Sequence, residues 1–402
     1  MLRLLAHRDV RLFMAGQTLS LFGDTALFLA LAIWAKTLTG SNGAAGLVFF
    51  FLALPALFSP LGGMLVDRVR RRPLMIVTDL VLGGVVLLLL FVHGRDQLWL
   101  LYTVTVFYGA GSLVFYSAQS ALLRIMLQDD LLAEGNAALQ TVREGLRLVG
   151  PLAGAGLFAA FGGGMVAIID TATFGVSAVC LAFLHVKESQ PVPMEQHFRT
   201  ELLAGIRHVL DTTPLRDIVF GVAAALLVVG FTETLIFAVV GQGLHRSPSF
   251  IGVLSAIQGV GAIAGALTAA PVLRRIGDAR LVGLGLGIFA LGDAFLISSM
   301  LPVVLVGILI AGAGIPWAIV GFGTALQQRT PLNLQGRVYS AADTMVGVPQ
   351  TLSIALGAAL STLVDYRILL VVMGLVVVAC GLYLWTRPIT PVPQVAEAAA
   401  SA

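Results

Sequence analysis

Residues 62–73 read GGMLVDRVRRRP. Between Asp67 and Arg72 one aspartate sits among Arg68, Arg70, Arg71 and Arg72, and long apolar runs flank the stretch on both sides. Only 11% of the chain is charged. Charge this concentrated between apolar runs belongs to a short loop between two membrane-spanning helices, because clustered arginine holds such a loop in the cytoplasm.

The rest of the chain supports that reading. It has 402 residues and is 58% hydrophobic, with a mean hydropathy of +0.96. Soluble domains are about 45–50% apolar and about 25% charged. Apolar runs recur along the whole length, the signature of a polytopic membrane protein in contact with the lipid bilayer. The sequence pI near 9.1 does not indicate nucleic acid, since the basic residues lie in short loops rather than on one soluble face. Cys180 and Cys380 each fall within an apolar run and read as small buried hydrophobes. The start, MLRLLAHRDVRLF, lacks the apolar core of a cleaved signal peptide. With no metal cluster, nucleotide loop or nucleophile with its base, the sequence does not read as an enzyme, and no cofactor is expected.

A membrane helix needs roughly 20 apolar residues. Twelve transmembrane helices are expected, at 12–35, 44–66, 74–92, 98–123, 137–160, 164–186, 217–240, 250–272, 280–300, 302–326, 339–363 and 367–386. Between the sixth and seventh lies the longest polar segment, from Lys187 to Arg216. In it Phe198, Leu202, Ile206, Val209 and Leu210 recur at helical spacing among charged residues, which predicts an amphipathic helix on the membrane surface. Placing both termini in the cytoplasm leaves Lys36, Arg95, Arg246 and Arg367 as the outward basic residues. Arg143 and Arg147 then fall inside span five, and every other Lys and Arg faces inward.

The linker divides the all-α chain into two six-helix bundles. Residues 1–186 form the first and 217–388 the second; 187–216 is a cytoplasmic linker and 389–402 a disordered cytoplasmic tail. A shift of roughly 207 residues relates the halves, setting Asp67–Arg70 opposite Arg274–Gly277 and Asp24 near Glu233. Duplicated halves of this kind mark a rocking transporter with its substrate site between them.

Twelve spans, a long middle loop and a charged loop after span two resemble the major facilitator superfamily over essentially the whole chain. Gly63, Leu65, Asp67, Arg68, Arg71 and Arg72 match that family's loop motif; Arg70 departs from its usual glycine. The second half has no aspartate near Arg274. Arg147, Gly150, Pro151 and Gly154 in span five resemble the signature of the family's antiporters. Ser20–Asp24, Asn136 and Gly336–Val338 resemble phrases of its macrolide, siderophore and tetracycline–aminoglycoside exporters. The resemblance implies a monomeric secondary exporter of the bacterial cytoplasmic membrane that expels amphipathic drug-like compounds in exchange for protons. Three readings compete with it: a dedicated exporter of one natural metabolite such as a siderophore, a facilitator without proton coupling, and a non-transporting membrane sensor. The resemblance also implies that Asp67 latches the halves against the start of span eleven, with Asp79 anchoring the loop through Arg71 or Arg72.

Asp24, Asp79, Glu144, Asp170, Glu233, Asp293 and Asp343 lie within or at the ends of spans. A charge at the bilayer centre costs about 2.5–3.5 kcal/mol on insertion scales, so such a residue faces a cavity or a partner. Burial disfavours the charged form of a carboxyl, which suits it to taking up a proton on one side and releasing it on the other. By depth, Asp24 and Glu233 are the candidate proton-coupling residues. The competing reading pairs Asp24 structurally with Arg143 or Arg147. Glu144 and Arg147, three residues apart, share a helix face. Phe22, Phe28, Phe231, Phe237 and Trp317 are candidate apolar walls of the substrate cavity, with Gln119, Gln258 and Gln350 as its hydrogen-bonding groups.

Overall fold

The structure, a computed structural model, describes residues 7–58, 69–127, 129–186, 188, 198–331 and 334–387. Among these residues the chain is helical with no strand. In lipid every backbone amide and carbonyl must find its partner inside the segment, which leaves the helix as the economical solution for so apolar a chain.

The first half contributes α1 (Arg8–Thr39), α2 (Asn42–Ala53), α3 (Arg71–Leu87), α4 (Leu98–Met126), α5 (Asp129–Phe161) and α6 (Gly163–Ala182). The linker holds α7 (Phe198–Asp211). The second half contributes α8 (Thr213–Val229), α9 (Thr232–Ala238), α10 (Ile251–Ile276), α11 (Asp278–Phe295), α12 (Leu301–Arg329), α13 (Gln335–Leu360) and α14 (Tyr366–Trp385). A helix covers each of the twelve expected spans in whole or in part. Eight helical segments among the described residues are long and apolar enough to cross a membrane. The second expected span leaves the described residues after Phe58. α5, α11 and α13 carry charges such as Glu144, Asp293 and Asp343 that dilute their apolar weight.

Local chemistry sets several helix ends. The Ser41 side chain accepts from Ala44 N and starts α2, and Asp365 does the same for α14 through Arg367 N. Lys36 Nζ closes the end of α1 on Gly40 O at 2.7 Å and Asn42 Oδ1 at 2.6 Å. Single glycines make the abrupt joints between α5 and α6 and between α10 and α11. Gly162 has φ 79° and Gly277 φ 81°, both with extended ψ, a conformation essentially reserved for glycine.

One expected span differs in form. Span seven is not one helix: α8 stops at Gly230, the chain turns at Phe231, and α9 restarts at Thr232 before a π-helical turn over Val239–Gly243. The Gly230–Phe231–Thr232 sequence supplies the weak point, because glycine is a poor helix former.

The chain divides into two compact units. The first comprises Met1–Glu195, Glu233–Ala256 and Ile354–Val364; the second comprises Gln196–Thr232, Ile257–Ser353 and Asp365–Ala402. In the first, α1 is the central helix, and Leu27, Ala30, Leu31 and Ala35 on it are fully shielded. Small residues let its neighbours come close, as in other membrane bundles. In the second, a β-carbon on Gly265 would collide with Ala313 O and one on Gly314 with Gly285 O, so α12 lies backbone-close to both α10 and α11.

The linker forms a helix over Phe198–Asp211, and part of its surface packs on protein. Gly205 lies so close to Arg337 and Ala341 of α13 that a β-carbon there would overlap them. A ring nitrogen of His208 lies 3.1 Å from Arg329 O, and Val209 is wholly buried. Leu203 and Leu210 remain exposed.

Candidate functional site

The polar centre of the first unit is built on α1, α3, α4 and α6. Tyr108 of α4 donates its hydroxyl to Asp24 Oδ1 at 2.5 Å. Neither Arg143 nor Arg147 takes that place: Arg143 goes to Gln119 and Tyr116, and Arg147 pairs with Glu144 at 3.6 Å on the face of α5. Tyrosine satisfies the carboxyl without a counter-charge, so the structural pairing weighed for Asp24 is replaced by a neutral hydrogen bond.

Asp170 of α6 and Asp79 of α3 complete the group. Both are fully buried, and neither carboxyl has a hydrogen-bond partner among the described residues. The three acids lie within electrostatic range of one another. Gly23, beside Asp24, makes room for the cluster, since a β-carbon there would overlap Thr173 Oγ1 and crowd Asp170 Oδ1. A chain of amides leads away from it. Gln17 Nε2 donates to Ser177 Oγ at 3.3 Å, Ser177 lies near Asp79 without closing a hydrogen bond to it, and Gln119 Nε2 donates to Gln17 Oε1. Arg143 Nη2 in turn donates to Gln119 Oε1 at 3.1 Å.

Of the loop residues, Gly63, Asp67 and Arg68 lie outside the described residues. Arg71 and Arg72 open α3, and Asp79 does not anchor them. Their backbone amides, at 2.6 Å and 2.9 Å, donate to the carboxylate of Glu188, an anion where a helix N-terminus favours one. The Arg72 guanidinium donates to the carbonyls of Leu181 and Ala182 instead. Asp79 sits more than two turns further along α3, out of reach of the helix start.

The span-five motif works by close approach. A β-carbon on Gly150 would overlap the Thr25 side chain, and one on Gly154 the Ala26 carbonyl, so α5 lies directly against α1 beside Asp24. Pro151 sits inside α5, where it removes one rung of the hydrogen-bond ladder.

The candidate cavity aromatics are divided between the two units. Within the first unit Phe28 stacks on Phe49 at 5.1 Å, and Phe49 meets Phe237 at 6.4 Å. Phe22 is half-buried on α1. In the second unit Phe231 is buried at the break after α8. Trp317 donates its indole N–H to Gly265 O and Thr268 Oγ1, each at 3.0 Å, which commits it to helix packing. The backbone of Gln258 lies against Gly312 of α12, and Gln350 is half-buried on α13. Glu233 occupies the first turn of α9, and no described hydrogen bond or ion pair links it to Asp24. Asp293 is buried on α11 with Oδ2 unpartnered among the described residues.

Sequence reasoning passed over Tyr108, Gln17, Ser177 and Glu188. A tyrosine and an amide in otherwise apolar spans were the available signals. The second half is also not bare of acid near Arg274. Asp278, four residues on, accepts both terminal nitrogens of Arg329 in a shielded pair.

Comparison with known proteins agrees with this architecture. The sequence profile of the Major Facilitator Superfamily matches residues 13–240 and again 218–402. The chain is 27% identical to the multidrug efflux pump Tap of Mycobacterium bovis, over 85% of this chain and 84% of that protein. It is 23% identical to macrolide efflux protein A of Streptococcus pyogenes, over 88% of each. Its fold is similar to the inward-facing crystal structure of a bacterial homologue of the iron transporter ferroportin, with a TM-score of 0.75 at 17% identity, covering 94% of this chain and 99% of that one. These are multi-pass transporters of small molecules rather than enzymes, and two profile matches spanning nearly the whole sequence place the chain in the Major Facilitator Superfamily.

Proposed function

We propose that the protein is a secondary exporter of the bacterial cytoplasmic membrane, moving amphipathic drug-like compounds out in exchange for protons. The observation that carries this reading is the carboxyl group around Asp24. Three ionised carboxylates in a low-dielectric core, with no ion pair to a cation among the described residues, would repel one another strongly, so the cluster is a natural place to hold and release a proton. Efflux proteins among the relatives support the outward direction. Asp24 carries the exchanged proton, and its hydrogen bond to Tyr108 is the contact remade as the proton comes and goes. Glu233, at the broken seventh span, serves the same exchange in the second half. Asp67, Arg68 and Gly63 form the loop latch, both termini are cytoplasmic, the twelve spans form two six-helix bundles, and the unit of transport is a monomer.

Driving force is ample, since one charge moved through 100 mV yields about 2.3 kcal/mol. Cells producing the protein should accumulate less of a lipophilic dye such as ethidium than cells without it. A protonophore should erase the difference. Equal accumulation with and without the protein would remove the exporter reading, and efflux untouched by the protonophore would remove proton coupling.

A further inference from the structure

The first unit contains a cavity of about 390 Å³ between α4 and α5, lined by Gln119, Ser120, Asn136, Gln140 and Arg143 among others. Arg143 is the charged member of that wall. Its contacts are neutral: Nη2 donates to Gln119 Oε1 at 3.1 Å, and the guanidinium lies 5.0 Å from the centroid of the Tyr116 ring. Its Nε–H is buried and finds no acceptor among the described residues. The adjacent acid, Glu144, is already engaged by Arg147 at 3.6 Å and by Gln140 at 2.7 Å. A guanidinium facing a polar cavity, set over an aromatic ring and without a carboxylate partner among the described residues, has the geometry for a planar anion.

We propose that this cavity binds the anionic end of the transported compound, a carboxylate or phosphate-type group, with Arg143 as its charge partner. Asn136 and Gln140 orient the head group, while Ala137 and Leu139 offer apolar surface to the body. The site also has a physical connection to the acids. Gln119, which Arg143 holds, donates to Gln17, and Gln17 donates to Ser177, which lies near Asp79 without a hydrogen bond to it. An anion that takes donors from Arg143 releases Gln119 and disturbs this chain as far as Ser177, beside the carboxyl cluster. The proposal rests on the exporter reading and adds amphipathic compounds bearing a negative charge to its substrates.

The test is equilibrium binding to the purified full-length protein in phosphatidylcholine nanodiscs. Two tritiated probes are used, 1-naphthaleneacetate and its amide, which differ only in the charged group. The wild type should bind the acid about tenfold or more tightly than the amide, the scale of a charge-assisted hydrogen bond. Arg143→Gln should erase that preference and keep amide binding and the melting temperature. Arg143→Lys should keep part of the preference. Failure of the wild type to bind the acid, equal binding of acid and amide, or an acid preference that survives Arg143→Gln would each overturn the assignment. Adding phosphatidylglycerol to the discs separates the sources of an anion. Loss of acid binding there, with phosphatidylglycerol retained by the wild type and not by Arg143→Gln, would assign the cavity to a lipid head group and overturn a substrate role. Protonophore-sensitive export of ethidium by cells carrying the wild-type protein keeps the exporter reading standing whichever way the acid result falls.

Discussion

Tyr108 places its hydroxyl 2.5 Å from Asp24 Oδ1, joining α4 to α1 at the centre of the first unit. In most membrane proteins an intramembrane acid is matched to a base; here the partner is a neutral phenol. Tyr108→Phe removes only that donor. The account predicts a folded protein whose dye export has a shifted pH dependence and a lowered rate, because the Asp24 carboxyl loses a hydrogen bond that favours one of its protonation states. Export rates over pH 5.5–8.5 in everted vesicles check this. A profile superimposable on that of the wild type would remove Tyr108 from the mechanism.

The approach of α5 to α1 predicts a steric asymmetry between neighbouring glycines. Gly150→Leu and Gly154→Leu should each lower thermal stability by about 1–3 kcal/mol, the usual cost of overpacking, because the added side chain meets Thr25 or Ala26. Gly156→Leu faces open space and should be tolerated. Melting curves of the three purified variants decide the point.

Glu188 caps α3 through the amides of Arg71 and Arg72. Glu188→Gln keeps the shape and removes the charge. A loss of about 0.5–1 kcal/mol is expected from the helix-dipole interaction, with the loss shrinking as salt is raised. Denaturation at low and high ionic strength measures both effects.

The Asp278–Arg329 pair in the second unit is shielded on both sides. Removing one partner strands a buried charge and costs about 3–5 kcal/mol, whereas replacing both with apolar residues is often near neutral. Arg329→Leu should therefore be poorly folded, and Asp278→Leu combined with Arg329→Leu should recover much of the yield. Size-exclusion profiles of the single and double variants test the sign.

The helices were legible in the sequence because apolar runs and charged joints are one-dimensional signals. The Gly162 and Gly277 joints were legible only as short connections, since their backbone conformation depends on the crossing of two helices. The break at Gly230 was hidden because Phe231 and its neighbours keep the run apolar. Asp24 and Asp79 stood out as acids in apolar helices, but their grouping with Asp170 depends on which faces of α1, α3 and α6 meet. Tyr108 and Gln17 drew no notice because a single polar side chain in a span is common and its partner lies a helix away. The anchoring by Asp79 and the competing pairing of Asp24 with Arg143 or Arg147 are not seen for the same reason, since sequence distance says how far along a helix a residue lies and not toward which neighbour it points.

The central claim is that proton movement through Asp24 drives export. Purified protein in liposomes with an imposed pH gradient tests it directly, with ethidium transport followed by fluorescence. The wild type should transport the dye only while the gradient stands. Asp24→Asn should fold and bind dye yet be indifferent to the gradient. Gradient-driven transport by Asp24→Asn at the wild-type rate would contradict the account.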